Sequence, residues 1–161
     1  MSALVGPARV TLREVGARDG LQGEEPVTVE QRVALVEALL TAGVTHLEVG
    51  AFVSPKAVPA MARSDEVIAS VGAPEGVTRT ALVPNARGAE LALCAGVDEL
   101  TVTISASATY NERNVRMSID ESVGAITAIA ALAGDAGVPV DAVVSCAFGS
   151  PYEGDLPAAE V

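Results

Sequence analysis

Aromatic side chains are nearly absent: of 161 residues two are Tyr, two are Phe and none is Trp. A core must therefore come from Ala, Val, Leu and Ile, the composition of parallel strands covered by helices. Half of the chain is hydrophobic, and polar low-complexity tracts are missing, so disorder is not expected. Cysteine is scarce as well. Cys94 and Cys146 make no disulfide framework, which points to a reducing cytoplasm. Long apolar runs are missing too: the longest uncharged stretch, Ser122 to Gly134, has 13 residues, where a membrane span needs about 18 or more. Met1 to Glu14 lacks a basic region followed by an apolar one, so no signal peptide is expected. Positive charge is in short supply, with 10 Lys and Arg against 21 Asp and Glu and a net charge of −11. That balance excludes a nucleic-acid partner, which needs a basic surface. An anionic small ligand needs only a few placed cations, and every basic residue except Lys56 is Arg, the better bidentate partner.

What is present is a repeat. Ala42-Gly43-Val44, Ala95-Gly96-Val97 and Ala136-Gly137-Val138 each close a helical stretch and open a β-branched one. Each Gly stands where a helix C-terminus favours a left-handed residue. Thr28-Val29-Glu30-Gln31 and Ser118-Ile119-Asp120-Glu121 match the capping box. The resulting order is strand 8–15, helix 29–42, strand 44–50, helix 64–71, strand 77–83, helix 86–95, strand 97–105, helix 119–135 and strand 138–146. Residues 155–161 read as the opening turn of a further helix. Such alternation means parallel strands with right-handed crossovers, in a doubly wound sheet or a TIM barrel. No G-x-G-x-x-G follows the first strand, which weakens a dinucleotide-binding sheet. The chain contains no linker, so 1–161 is expected to be one domain.

In either arrangement ligands bind at the C-terminal ends of strands. After the first strand comes Arg13-Glu14-Val15-Gly16-Ala17-Arg18-Asp19-Gly20-Leu21-Gln22. There Asp19 suits a hard divalent cation and Arg18 a developing enolate oxygen, although Asp-Gly is also ordinary turn punctuation. Glu48 falls inside the second strand, on the face shared by Val44, His46 and Gly50. It points into a wet barrel mouth or pairs with a cation, Arg18 being the natural candidate, in a catalytic or a structural ion pair. His46, the only histidine, reads as a hydrogen-bonded interior residue, and Cys146 and Cys94 as structural thiols. Lys56 and Arg113 suit either an anionic ligand or solvent.

These segments together resemble the 3-hydroxy-3-methylglutaryl-CoA lyase family of metal-dependent carbon–carbon lyases. The resemblance rests on Glu14 to Gln22, on Glu48 with Phe52-Val53-Ser54-Pro55-Lys56-Ala57-Val58-Pro59, and on Pro84-Asn85. It continues through Ser105-Ala106-Ser107, Asn114, Ser118 to Ser122, Val144 to Gly149 and Pro151-Tyr152-Glu153-Gly154. It implies a (β/α)8 TIM barrel, here truncated to about the first five strands, because such a barrel takes about 250 residues. It implies cleavage of 3-hydroxy-3-methylglutaryl-CoA, or a similar acyl-CoA, to acetyl-CoA and acetoacetate with Mg²⁺ or Mn²⁺, a reaction of leucine degradation. Carried over by position, Asp19 is a metal ligand, Arg18 and Glu48 are catalytic, and Arg18, Gln22 and Asn85 bind substrate. The full-length protein is expected to be a homo-oligomer, a dimer. The family also uses a His-x-His metal pair and a Cys in a Gly-rich loop, both further along than this chain runs. Ala17 replaces the family's usual Pro, and Ala51 stands where a small hydroxyl residue is common. Two other readings stay open: a catalytically incomplete half-barrel that pairs through strand edges at 8–15 and 138–146, and a related acyl-CoA condensing synthase.

Overall fold

The computed structural model describes residues 10–159 and residue 161. Its frame is a parallel sheet of four strands in sequence order. These are β1 (His46–Ala51), β2 (Thr78–Leu82), β3 (Glu99–Ser105) and β4 (Val140–Ser145). Helix α1 (Val29–Thr41) precedes β1, and between the strands lie α2 (Ser64–Val71), α3 (Ala86–Ala95), α4 (Ala108–Val115) and α5 (Ile119–Ala136). A short antiparallel pair, β5 (Gly149–Ser150) and β6 (Gly154–Asp155), follows β4. No single helix among the described residues is long and apolar enough to cross a membrane.

Small apolar residues make the core, as the lack of aromatics requires. Leu47, Val49, Ala81, Leu100 and Val102 from the strands meet Val36, Ile68, Ala89, Ala92, Ile129 and Ala133 from the helices. Ala at the helix positions lets α3 and α5 lie close to the sheet and to each other. Both capping boxes form: Thr28 and Gln31 satisfy each other's backbone N–H groups, and Ser118 and Glu121 do the same. The repeated glycines take positive φ at the helix ends, 92° at Gly43, 78° at Gly96 and 69° at Gly137.

Three elements differ from the sequence reading. The expected strand 8–15 is reduced to a single parallel bridge between Glu14 and Leu47, with positions 8 and 9 outside the described residues. Val10 and Leu12 are 76% and 82% exposed, so nothing packs over the stretch before Glu14 to hold it as a strand. The expected helix start at 155–161 is not seen: Asp155 pairs with Gly149 in the small hairpin, and Glu160 lies outside the described residues. Helix α4 carried no signal, because its sequence ATYNERNV has no apolar stripe and buries only Asn111. Its stability is polar instead. Asn111 Oδ1 accepts from Ser105 N at 3.0 Å. Asn111 Nδ2 lies 2.8 Å from Met117 O, 3.2 Å from Ser118 O and 2.8 Å from Ser122 Oγ.

The hairpin is latched to the start of α4 by Glu153. Its Oε1 accepts from Thr109 N at 3.0 Å, and its Oε2 takes the hydroxyls of Ser107 and of Ser150, the latter at 2.5 Å. The hydrogen bonds from Ser107, Ser150 and Thr109, in that order, hold the Glu153 carboxyl at about 2, well below its ordinary 4.5.

Two outcomes follow from these polar anchors. Asn111→Ala leaves buried partners on β3 and at the start of α5 unpaired, and should cost about 2–4 kcal/mol in urea unfolding. A loss under about 1 kcal/mol would contradict the anchoring role. The latch should be fully formed above pH 4.5 and be lost as pH falls through about 2. An NMR titration should place the Glu153 midpoint near 2, and Ser107→Ala should raise it.

Candidate active site

The turn after Glu14 makes the site possible. Residues Gly16–Gly20 form one wide turn, in which the backbone N–H groups of Asp19 and Gly20 both reach Val15 O. Glu14 folds back over it, accepting from Gly16 N at 2.5 Å. A Cβ at position 16 would stand 2.7 Å from Glu14 Oε1, so a larger residue here would push the Glu14 carboxylate aside. The turn directs Arg18 over the C-terminal end of β1.

There Glu48 receives it. Glu48 is 2% exposed, and its Oε2 accepts from Arg18 Nε at 2.5 Å. A register shift lies between Glu48 and Gly50, a bulge of the kind that re-aims side chains beside functional sites. With Nε fixed, Arg18 Nη1 donates to Asp19 Oδ1 at 2.8 Å and lies 3.4 Å from Gln22 Oε1. Arg13 approaches the other Glu48 oxygen at 3.9 Å. Arg13 also bonds Asp141 and Glu99, each at 2.7 Å, tying β3 and β4 across the interior to the N-terminal segment. His46 Nε2 lies 3.2 Å from Glu99 Oε1, the hydrogen-bonded interior role expected of it.

A cleft of about 430 Å³ opens above this ion-pair layer. Arg18, Asp19, Gln22 and Glu48 line it from β1 and the preceding turn, and Thr101, Thr103, Ser145, Tyr110 and Asn114 line it from β3, β4 and α4. The structure thus brings Arg18, Asp19, Gln22 and Glu48 together. Asn85 is not with them: its side chain caps α3, accepting from Gly88 N at 2.9 Å. Arg113 stacks on the ring of Tyr152 at 4.6 Å. Lys56 is exposed on the loop after β1. Cys94 is a free, exposed thiol, and Cys146 is free and half-buried rather than the interior thiol expected.

The sequence reading missed Arg13 and the two threonines. Their signal was the alternation Glu99, Thr101, Thr103, Ser105, a polar row at strand spacing in an otherwise apolar strand. Toward a metal the cleft supplies one accessible carboxylate, Asp19, whose Oδ1 accepts from Arg18 Nη1 at 2.8 Å. Asp19 is 63% exposed, whereas Glu48 is committed to Arg18 and Arg13. Among the described residues no three His, Cys, Asp or Glu side chains stand together as a metal site. These residues therefore fit a divalent cation only as the source of one ligand.

A guanidinium fixed by a buried carboxylate, facing a cleft with an available acid, can hold an oxyanion. Comparison with known proteins places the chain in a family. The chain is 44% identical over 151 residues to the 3-hydroxy-3-isohexenylglutaryl-CoA/hydroxy-methylglutaryl-CoA lyase of Pseudomonas aeruginosa, covering 93% of this chain and 50% of that protein. It is 45% identical over 146 residues to the hydroxymethylglutaryl-CoA lyase of Pseudomonas mevalonii, covering 90% and 48%. Among solved structures it resembles a hydroxymethylglutaryl-CoA lyase from Pseudomonas aeruginosa with a TM-score of 0.91 and 43% identity, over 96% of this chain and 52% of that one. An HMG-CoA lyase from Acinetobacter baumannii in complex with coenzyme A and 3-methylmalate matches with a TM-score of 0.88 and 34% identity, over 93% and 49%. The chain spans about half the length of the curated relatives it matches. These structural neighbours are TIM barrels, so the four-stranded parallel sheet is part of such a barrel. The HMGL-like family model matches residues 9–161, and on sequence and fold alike the chain belongs to the HMGL-like family.

Proposed function

We propose that this chain is the N-terminal half of a carbon–carbon lyase, a single domain that builds one wall of the active site. The supporting observation is Arg18, fixed through Nε to buried Glu48, with Nη1 turned toward Asp19 and Gln22 in the wall of the cleft. The reaction is retro-Claisen cleavage of 3-hydroxy-3-methylglutaryl-CoA or a similar 3-hydroxyacyl-CoA. The tertiary hydroxyl loses its proton and its oxygen becomes the ketone of acetoacetate. The adjacent carbon–carbon bond breaks, and its electron pair passes to the acetyl-CoA enolate, which is then protonated on carbon. Arg18 holds the enolate oxygen as charge develops there, Glu48 keeps Arg18 from swinging away, and Gln22 orients substrate beside it. Asn85 acts on substrate only indirectly, by placing α3.

The HMGL-like family is generally metal-dependent. A bound Mg²⁺ or Mn²⁺ would polarise the substrate oxygens, and Asp19 is the ligand this chain would supply to it. The free thiols fit a cytoplasmic protein, a net charge of −11 is unfavourable for a nucleic-acid partner, and the acyl-CoA substrate is carried over from the lyases it resembles. One observation favours a role for association. On β4, Val143 and Val144 are 44% and 43% exposed, and β4 pairs only with β3 among the described residues. Such an edge drives pairing: in a whole barrel the next strand takes it, and in an isolated half-barrel a partner would.

The 161-residue chain alone should release no acetoacetate, because a single carboxylate is a poor divalent site. Metal-dependent release by the purified chain, abolished by Asp19→Ala, would sink that expectation. In the full-length enzyme Arg18→Met should lower kcat by about 10²–10³-fold. A related condensing synthase would instead form a carbon–carbon bond from acetyl-CoA in the same assay mixture.

A further inference from the structure

The bulge in β1 is held from behind. Val49 has no opposite number on β2, and the register shifts between Glu48 and Gly50. Strict alternation would set Gly50 on the face of Glu48, toward the cleft. Instead a Cβ added at Gly50 would meet Ser64 Oγ at 2.5 Å, Ser64 Cβ at 2.8 Å and Arg32 Nη2 at 3.0 Å, so position 50 faces the helix layer. Side chains of that layer reach the backbone on either side of Gly50. Arg32 Nη2, from α1, donates to Val49 O at 3.4 Å, and Ser64 Oγ, at the start of α2, accepts from Ala51 N at 3.3 Å. Ser64 Oγ also accepts from Arg32 Nη2 at 3.1 Å and donates to Met61 O at 2.8 Å, which uses its one donor and both acceptor sites.

This arrangement carries a cost. Arg32 is 2% exposed, yet each hydrogen-bond partner it has among the described residues is neutral: Ala62 O at 2.8 Å, Val49 O, Ser64 Oγ and, at 4.0 Å, Met61 Sδ. An apolar side chain of similar volume would avoid burying a charge, so the guanidinium contributes donors in fixed directions. Arg63, just before Ser64, takes a φ of 58°, a left-handed conformation that costs free energy for a residue with a Cβ. Both features sit one residue from the carboxylate that fixes Arg18. We propose that Arg32, Ser64 and Gly50 form a positioning unit, which holds the β1 bulge from the helix side and so sets where Glu48 presents its carboxylate to Arg18. None of the three touches the cleft; they act through Glu48. A displacement of about 1 Å at a reacting group can cost a hundredfold in rate. The effect on turnover rests on the lyase reading of the cleft.

The test uses the full-length enzyme with Ser64→Ala, Gly50→Ala, Val67→Ala and Arg18→Met. It measures melting temperature, kcat and KM for 3-hydroxy-3-methylglutaryl-CoA, and the ¹⁵N NMR signal of Arg18 Nε–H. Ser64→Ala should lower kcat about tenfold to a hundredfold with KM within about threefold, and Arg18 Nε–H should exchange faster with water. Gly50→Ala should do the same. Val67, 0% exposed on the same helix, is the control: Val67→Ala should lower the melting temperature and leave kcat and the Arg18 signal as they are. An Arg18 signal that is unchanged in Ser64→Ala, or that moves as far in Val67→Ala, would overturn the proposal. If Ser64→Ala does not fold, Gly50→Ala decides by the same readings. If neither folds, the unit is a requirement of the fold and the proposal fails. A changed Arg18 signal with full activity in both Ser64→Ala and Arg18→Met leaves the positioning unit standing and defeats the lyase reading. If Arg18→Met is inactive and kcat of Ser64→Ala is normal, only the positioning role fails.

Discussion

The rest of the site depends on one buried carboxylate. Glu48, 2% exposed inside a parallel strand, is tolerable only because arginines approach both of its oxygens. Removing one partner of such a pair typically costs about 3–5 kcal/mol, since the other charge is left buried. The ion pair is therefore weak evidence for stability and good evidence for orientation. A long, flexible Arg side chain that would otherwise sweep through solvent is held by Nε, and its outer nitrogen stays at the mouth of the cleft. Every local device around it serves that end. The wide turn at 16–20 brings Arg18 over β1, Gly16 admits the close approach of Glu14, and the bulge after Glu48 aims the carboxylate.

The polar interior extends below the cleft. Arg13 ties Glu99 and Asp141, on two neighbouring strands, to the segment before β1, with His46 beside Glu99. An aromatic-poor barrel cannot fill its interior with large rings, and here charged and hydroxyl side chains occupy that space while aliphatic residues pack the helix side. The division explains how a chain with so few basic residues spends them. Arg13, Arg18, Arg32 and Arg79 are all held by partners inside or between layers, and Arg79 pairs with Asp98 while bonding Gly72 O and Gly96 O. The preference for Arg over Lys, read from sequence as a sign of ligand binding, is largely structural: Arg offers several directed donors to carbonyls and carboxylates at once.

Much of the framework was legible because it is written in short-range signals. Capping boxes and C-terminal glycines placed α1, α2, α3 and α5 within a residue or so, and β-branched runs placed the four sheet strands. The meeting of Arg18 with Glu48 was legible too, since a charged residue at the end of an apolar strand needs a cation. What stayed hidden depends on contacts far apart in sequence. Helix α4 has no periodicity because it is held by the hydrogen bonds of Asn111, and the turn at Glu153 depends on hydroxyls of Ser107 and Ser150. The N-terminal strand looked complete from its residues, yet among the described residues only Glu14 bridges to β1. Asn85, a site residue by its motif, caps α3 here, away from the Arg18 cleft. The threonines of β3 became visible only when the sheet brought them opposite Arg18.

The most direct measurement is ¹⁵N NMR of the Arg18 side chain in the wild-type protein and in Glu48→Gln. If Glu48 fixes Arg18, the wild-type Nε–H resonance will be shifted downfield and protected from exchange with water, and both features will vanish in Glu48→Gln while the sheet's backbone amides keep their positions. An Arg18 Nε–H that exchanges freely in the wild type, or that does not respond to the loss of the Glu48 charge, would contradict the account.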